Sequence, residues 1–149
     1  MYELIKYVHV VCAIIWVGGA FFAQLLAVRA ARSDDPTDLP KIGASIAYLG
    51  QRVFLPASIL LFVAGIILVS QRWAFSNLWV SVSMVLWLAS ALVGALYLGP
   101  TSAKVGAVFA AEGPTSVVGR AGLDRLFLVA RLELVSFAIV VFMMVVKPG

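Results

Sequence analysis

The sequence has one histidine, one cysteine and few charged side chains, with Lys, Arg, Asp and Glu together making 12% of its 149 residues. Each shortage excludes something. A lone cysteine rules out a disulfide framework within the chain and any two-thiol motif. A lone histidine rules out a bis-histidine haem site within one copy, leaving two copies of His9 across a homodimer as the only such arrangement. There is no phosphate-cradling glycine loop after a strand, and there are no paired acids of the glycosidase or protease kind. With 63% hydrophobic residues and a mean hydropathy of +1.07, the chain has too few polar side chains to cover a water-soluble globule.

Long apolar runs are what the chain has instead. A helix needs about 20 apolar residues to cross a hydrocarbon layer ~30 Å thick, and there is room for four. The expected fold class is all-α: a single domain, residues 1–149, forming an antiparallel bundle of four transmembrane helices. The first run, about residues 4–28, is longer than a signal-peptide core of ~7–15 residues and stays in the membrane. RSDDPTDLP stops it, because Asp and Thr compete for backbone hydrogen bonds and Pro lacks a donor. The second helix is expected over about 42–70, with a kink near Arg52 to Pro56. A short turn, QRWAFSN, makes the third helix (78–98) an antiparallel neighbour of the second. Gly99 and Pro100 are expected to end the third helix. The fourth runs over about 123–146, after a polar segment broken into two pieces at Gly113-Pro114. Gly18 and Gly19 on the first helix, and Ser90 with Gly94 on the third, offer small faces for close helix packing.

The net charge of +4 does not point to nucleic acid, because the charges sit beside apolar runs as the positive-inside rule requires. Lys6, Arg72 and Lys147 fall on the side of the termini, three in all, while Arg29, Arg32, Lys41, Arg52, Lys104, Arg120, Arg125 and Arg131 make eight on the other. Eight against three puts the first and third loops in the cytoplasm and both termini outside. Trp73 and Trp79 beside the outer turn, with Tyr2 and Tyr7, read as an aromatic belt.

Depth counted from these boundaries gives two polar layers. The outer one holds His9, Met84, Met143 and Met144, with Cys12 and Trp16 on the face of the first helix that carries His9. Imidazole and thioether together can ligate haem iron or Cu(I). The same residues also serve as packing groups, methionine as a gap filler, Cys12 as a small apolar residue and His9 as a hydrogen-bonding partner of water or a carbonyl. The inner layer holds Gln24, Arg52, Tyr97, Arg131 and Glu133. Arg131 and Glu133 are two residues apart on one helix and cannot easily pair, so Glu133 is expected to pair with Arg52 while Arg131 reaches toward the headgroups. Asp34, Asp35 and Asp38 read as a solvated helix stop.

YVHVVCAIIWVGGAFFAQLLAVRA, RVFLPASILLFVAGIILV and ARLELVSFAIVVFMMVVKPG together resemble a bacterial family of small integral membrane proteins of unknown function, a likeness that covers nearly the whole chain. More distantly, the chain is similar to the membrane parts of the copper-resistance protein CopD and the haem-biosynthesis protein HemJ, which also open with an H-x(6)-W-x-G-G-like helix. That likeness implies a first helix whose His9, accompanied by Trp16, Gly18 and Gly19, helps hold copper or haem b. It also implies a home in the bacterial cytoplasmic membrane.

Three functions remain open from the sequence. The chain can be a non-enzymatic accessory or structural subunit, with the lipid bilayer and either a homo-oligomer or a larger membrane complex as partners. It can bind haem or copper through His9 with Met143, Met144, Met84 or Cys12. It can also conduct protons or ions past Glu133 and Arg52 as an oligomer.

Overall fold

The computed structural model describes residues 1–35 and 37–148, and every regular element in it is helical. Four helices are long and apolar enough to cross a membrane: α1 Tyr2–Ala31, α2 Asp38–Arg72, α3 Leu78–Glu112 and α4 Val117–Val146. At ~1.5 Å per residue they are about 45 to 52 Å long, well over the ~30 Å of hydrocarbon, so each helix continues beyond the apolar layer.

The extra length lies largely where the sequence reading expected loops. Gly99 and Pro100 do not end α3, while α2 runs through Pro56 as its expected range required. Both prolines follow a π-helical turn, Gly50–Phe54 in α2 and Gly94–Leu98 in α3. In each, the first glycine's carbonyl accepts a hydrogen bond from the residue five places on, Leu55 N–H in α2 and Gly99 N–H in α3. A proline ring crowds the carbonyl four residues earlier, and the wider turn moves that carbonyl aside, so the helix goes on. Both sites share the spacing Gly-x(5)-Pro, at Gly50–Pro56 and Gly94–Pro100.

Beyond Pro100, α3 runs on to Glu112 and turns at Gly113, whose φ of 82° suits a residue without a Cβ. Ser116 then caps α4, its Oγ accepting the Gly119 N–H at 3.1 Å while its hydroxyl donates to the Glu112 carboxylate. The segment expected as a broken linker is therefore a helical hairpin. Val105 and Phe109 of α3 bury themselves against Leu123 and Leu126 of α4, with Ala31, Leu39, Leu98 and Phe127 packed around them.

Different seams of the bundle use different side chains. The backbones of α1 and the Leu55–Arg72 part of α2 approach closely along their length, as do those of Leu78–Val93 and α4. Between Leu55–Arg72 and Leu78–Val93 the backbones stay mostly more than 8 Å apart. Rings fill the gap, with Phe62 stacked on Trp87 at a centroid distance of 4.0 Å and the Trp87 indole N–H donating to Ser58 Oγ at 3.1 Å.

Gly19 is a point of close approach, since a Cβ there would run into the Phe54 ring. A Cβ at Gly18 or Gly94 would meet nothing within 4 Å. Ser90 is buried, and the Gly94 N–H still bonds to its carbonyl one α-helical turn later, so the π turn shifts only the side chains that follow Gly94. Gly19→Leu is expected to displace Phe54 and destabilise the fold by about 1–2 kcal/mol, within the range for overpacking. The loss is limited because Phe54 is only half-buried and can swing outward. Gly18→Leu should be close to neutral in the same detergent unfolding measurement.

Candidate functional site

The outer layer forms around α1. His9 is half-buried, and its Nδ1 lies 2.9 Å from the Leu61 carbonyl oxygen of α2. A carbonyl only accepts, so Nδ1 carries the proton, and in neutral imidazole the free lone pair is on Nε2. The ring lies over Gly65, where a Cβ would stand 3.2 Å from His9 Cε1. Farther along the same face, Cys12 is buried and the Trp16 ring meets Phe137 of α4 at 4.5 Å. This face of α1 is thus inserted between α2 and α4.

Met84, Met143 and Met144 gather around a buried cluster of Val69, Trp79 and Val80. Val69 is one helical turn beyond Gly65, the residue beneath the His9 ring. Among the described residues, no group of three or more His, Cys, Asp or Glu side chains is placed to hold a metal ion.

At the end of the bundle that holds both termini, Arg72 stacks over Tyr2 at 3.9 Å. Lys147 Nζ lies 4.5 Å from the centre of the Trp73 ring and 5.6 Å from that of Trp79. The two indoles meet edge to face at 5.3 Å. Lys147 leaves α4 in the left-handed conformation, with φ of 51°. The expected aromatic belt is divided, since Trp73 is exposed while Trp79 is turned inward and only 5% exposed.

The inner layer differs from the expectation. Gln24 joins α1 to α4 through Nε2, which donates to the Phe127 carbonyl at 3.4 Å, and its Oε1 is buried without a partner. Arg52, Tyr97 and Arg131 are exposed, and Glu133 is half-buried. The expected pair between Glu133 and Arg52 does not form, because among the described residues the one side-chain ion pair is Lys6 with Glu3 at 3.4 Å. Residues two places apart on a helix point nearly opposite ways, so with Phe54 set against Gly19 of α1, Arg52 is turned outward. A proton or ion path drawn past that pair loses its basis.

A third polar group was missed at the sequence level. Ser83, Trp87 and Ser90 follow the helical spacing i, i+4, i+7 on α3, and both serines are buried, with Ser83 Oγ unpartnered. That spacing was the available signal.

At the opposite end from His9, two clefts open where α1 meets α2. The larger, of about 480 Å³, is lined by Leu25, Val28, Arg29, Arg32, Ser33 and Asp38. The smaller, of about 220 Å³, lies between Ala30–Ala31 and Pro114–Thr115 and includes Arg120. Arg120 closes it, donating from Nε to the Pro114 carbonyl at 3.1 Å and from a terminal nitrogen to the Ala31 carbonyl at 3.4 Å. Ser33 Oγ donates to Asp38 at 2.5 Å, and Asp35 accepts both the backbone N–H and the hydroxyl of Thr37 at 2.8 Å.

Those two Thr37 bonds, the backbone one first, hold the Asp35 carboxyl below its ordinary value. A lowered carboxylate contributes stability that is present above its unfolded pKa and is lost as pH falls through the lowered folded value. Asp35 is fully exposed, so the effect is small. Its titration midpoint, followed by NMR, should rise in Thr37→Ala.

Residues 3–148 match the family described as "Predicted integral membrane protein (DUF2269)". No curated protein matches the chain, nor does any solved structure.

Proposed function

Because the chain belongs to this family of integral membrane proteins, we propose that it acts as a non-enzymatic accessory or assembly subunit of a membrane complex. The observation that carries the reading is how the inward polar groups are used. His9 to the Leu61 carbonyl, Gln24 to the Phe127 carbonyl and Trp87 to Ser58 each tie one helix to another. Outward, almost none of the most apolar stretch of α1 or α4 is buried within the chain. These two helices therefore offer apolar surface to lipid or to a neighbouring membrane protein, a second copy included. The test is extraction into a mild detergent followed by native electrophoresis and quantitative mass spectrometry. A fixed-stoichiometry assembly larger than the monomer is expected, and a chain that migrates alone under all extraction conditions overturns the proposal.

The proposed arrangement is a single-domain antiparallel bundle in the bacterial cytoplasmic membrane, with both termini outside. Its support is the eight-to-three distribution of Lys and Arg and the rim contacts linking Tyr2 with Arg72 and Lys147 with Trp73. In a Cys12→Ser background, Ser76→Cys should react with an impermeant thiol reagent in intact cells. Thr37→Cys should react only after the membrane is opened, and the reverse pattern inverts the topology.

One observation favours a second reading, metal binding at His9. Metal-bound imidazoles commonly donate their other ring N–H to a carbonyl, which orients the ring. The Leu61 contact supplies that bond and leaves Nε2 for a ligand. Met84, Met143 and Met144, packed around Val69, Trp79 and Val80, would add soft sulfur, a set suited to Cu(I). Haem b would draw on the same Nε2 lone pair. When bound, copper would supply one-electron redox chemistry or be carried as cargo, with His9 and the thioethers holding it. Absorption spectra of oxidised and reduced protein, with elemental analysis, test this reading. Stoichiometric copper or a Soret band lost in a folded His9→Ala variant would establish it, and a colourless, metal-free, folded protein would remove it.

A further inference from the structure

We propose that the cleft at the end of α1 binds a phosphate monoester or diester, and that its ordinary ligand is the headgroup of an anionic phospholipid. Arg29 in the last turn of α1 and Arg32 at its C-cap are three residues apart, where positive charge also complements the carbonyl end of the helix. Both line the 480 Å³ cleft and both are exposed. Among the described residues neither has a carboxylate within 4 Å, since the ion pair formed is Lys6 with Glu3.

The remaining wall decides the class of ligand. Asp38 also lines the cleft, but its carboxylate accepts the Ser33 hydroxyl, which in turn accepts the Asp35 N–H at 3.2 Å. Two guanidiniums against one engaged carboxylate leave the cleft with a net single positive charge, which suits a phosphodiester monoanion. Guanidinium groups can grip phosphate oxygens two at a time. Leu25 and Val28 form an apolar wall one turn deeper in α1. Counting ~20 residues from Lys6 puts that wall at the edge of the hydrocarbon and the arginines at headgroup level. A volume within the ~300–1,000 Å³ range of small-molecule sites leaves space for more than a bare phosphate ion. The cleft thus offers guanidinium to a phosphate and an apolar wall to whatever chain or ester is attached.

The experiment is native mass spectrometry of delipidated protein titrated with phosphatidylglycerol, with phosphatidylcholine as the zwitterionic reference. Phosphatidylglycerol is expected to bind at least tenfold more tightly, and Arg29→Gln with Arg32→Gln should remove that preference. Lys104→Gln, at an exposed position on α3, should leave it intact. Circular dichroism of each variant checks the fold, and Arg29→Lys with Arg32→Lys, which keeps charge without the planar fork, should fall between. Glycerol 3-phosphate and inorganic phosphate are then added as competitors. Failure to displace the lipid assigns the site to the membrane, and displacement at low concentration assigns it to a soluble phosphate ester; either supports a phosphate site. Equal binding of the two lipids with no binding of the soluble esters, or an unchanged preference in the double Gln variant, would overturn the proposal.

Discussion

Trp87→Ala is expected to lower the stability of the detergent-solubilised protein by about 2 kcal/mol, the largest loss expected from truncating one side chain here. In a water-soluble core a Trp→Ala change costs about 3–5 kcal/mol, part of which is transfer out of water. Lipid tails are as apolar as the bundle interior, so that part is smaller in a membrane. What remains is packing. Trp87 stacks on Phe62 with rings 12° from parallel, an arrangement worth ~0.5–1.5 kcal/mol beyond area burial, and its N–H donates to Ser58 across the seam, worth ~0.6 kcal/mol for an average interhelical bond in a membrane. Because the backbones of α2 and α3 stand apart here, no small neighbour can close the gap, so a cavity adds to the loss. Trp87→Phe retains a ring and loses the N–H, and should cost less than half as much. Reversible unfolding in mixed micelles checks both. Equal effects of Ala and Phe would show that the hydrogen bond, and not the ring, holds this seam.

Gly119→Leu is expected to destabilise the helical hairpin by about 3 kcal/mol, the upper part of the range for overpacking. A Cβ there would stand 2.6 Å from Phe109 Cε1 and 2.9 Å from Cδ1. Unlike Phe54 opposite Gly19, Phe109 is buried among Val105, Leu123 and Leu126 and has no outward route. The displaced ring would open this cluster, and moving the backbone instead would disturb the cap in which Ser116 Oγ accepts the Gly119 N–H. Gly106 provides the contrast on the same helical tail. It is exposed, and a Cβ there meets nothing within 4 Å, so Gly106→Ala should stabilise by about 0.5–1 kcal/mol through helix propensity. Hydrogen exchange of residues 99–123 should show local opening in the first variant and added protection in the second.

The four spans were legible because they depend on apolar length, yet each helix is longer than the expected range, α3 by the most. Pro100 shows why. A proline is normally a helix stop, and only the π turn at Gly94–Leu98 allows α3 to pass it. The Gly-x(5)-Pro spacing shared with α2 was present in the chain, but its meaning depends on a hydrogen-bond pattern that sequence alone does not display. Met84, Met143 and Met144, at similar depth by residue count, pack around one buried apolar cluster. The pairing of Glu133 with Arg52 depends on azimuth as well as depth, and apolar side chains all round a membrane helix leave azimuth unmarked.

By itself, then, the sequence determined that this protein is all-helical with four helices fit to cross a membrane, because that outcome follows from apolar length summed along the chain and from the turn residues that interrupt it. Only the tertiary structure decided which side of each helix faces its neighbours. In water an inward face is apolar and an outward face polar, so the periodicity of a helix reports its orientation. In a membrane both faces are apolar. Orientation then rests on shape, on a glycine under the His9 ring, a ring against Gly19 and indoles in the wide seam, and such fits exist only once the helices have met.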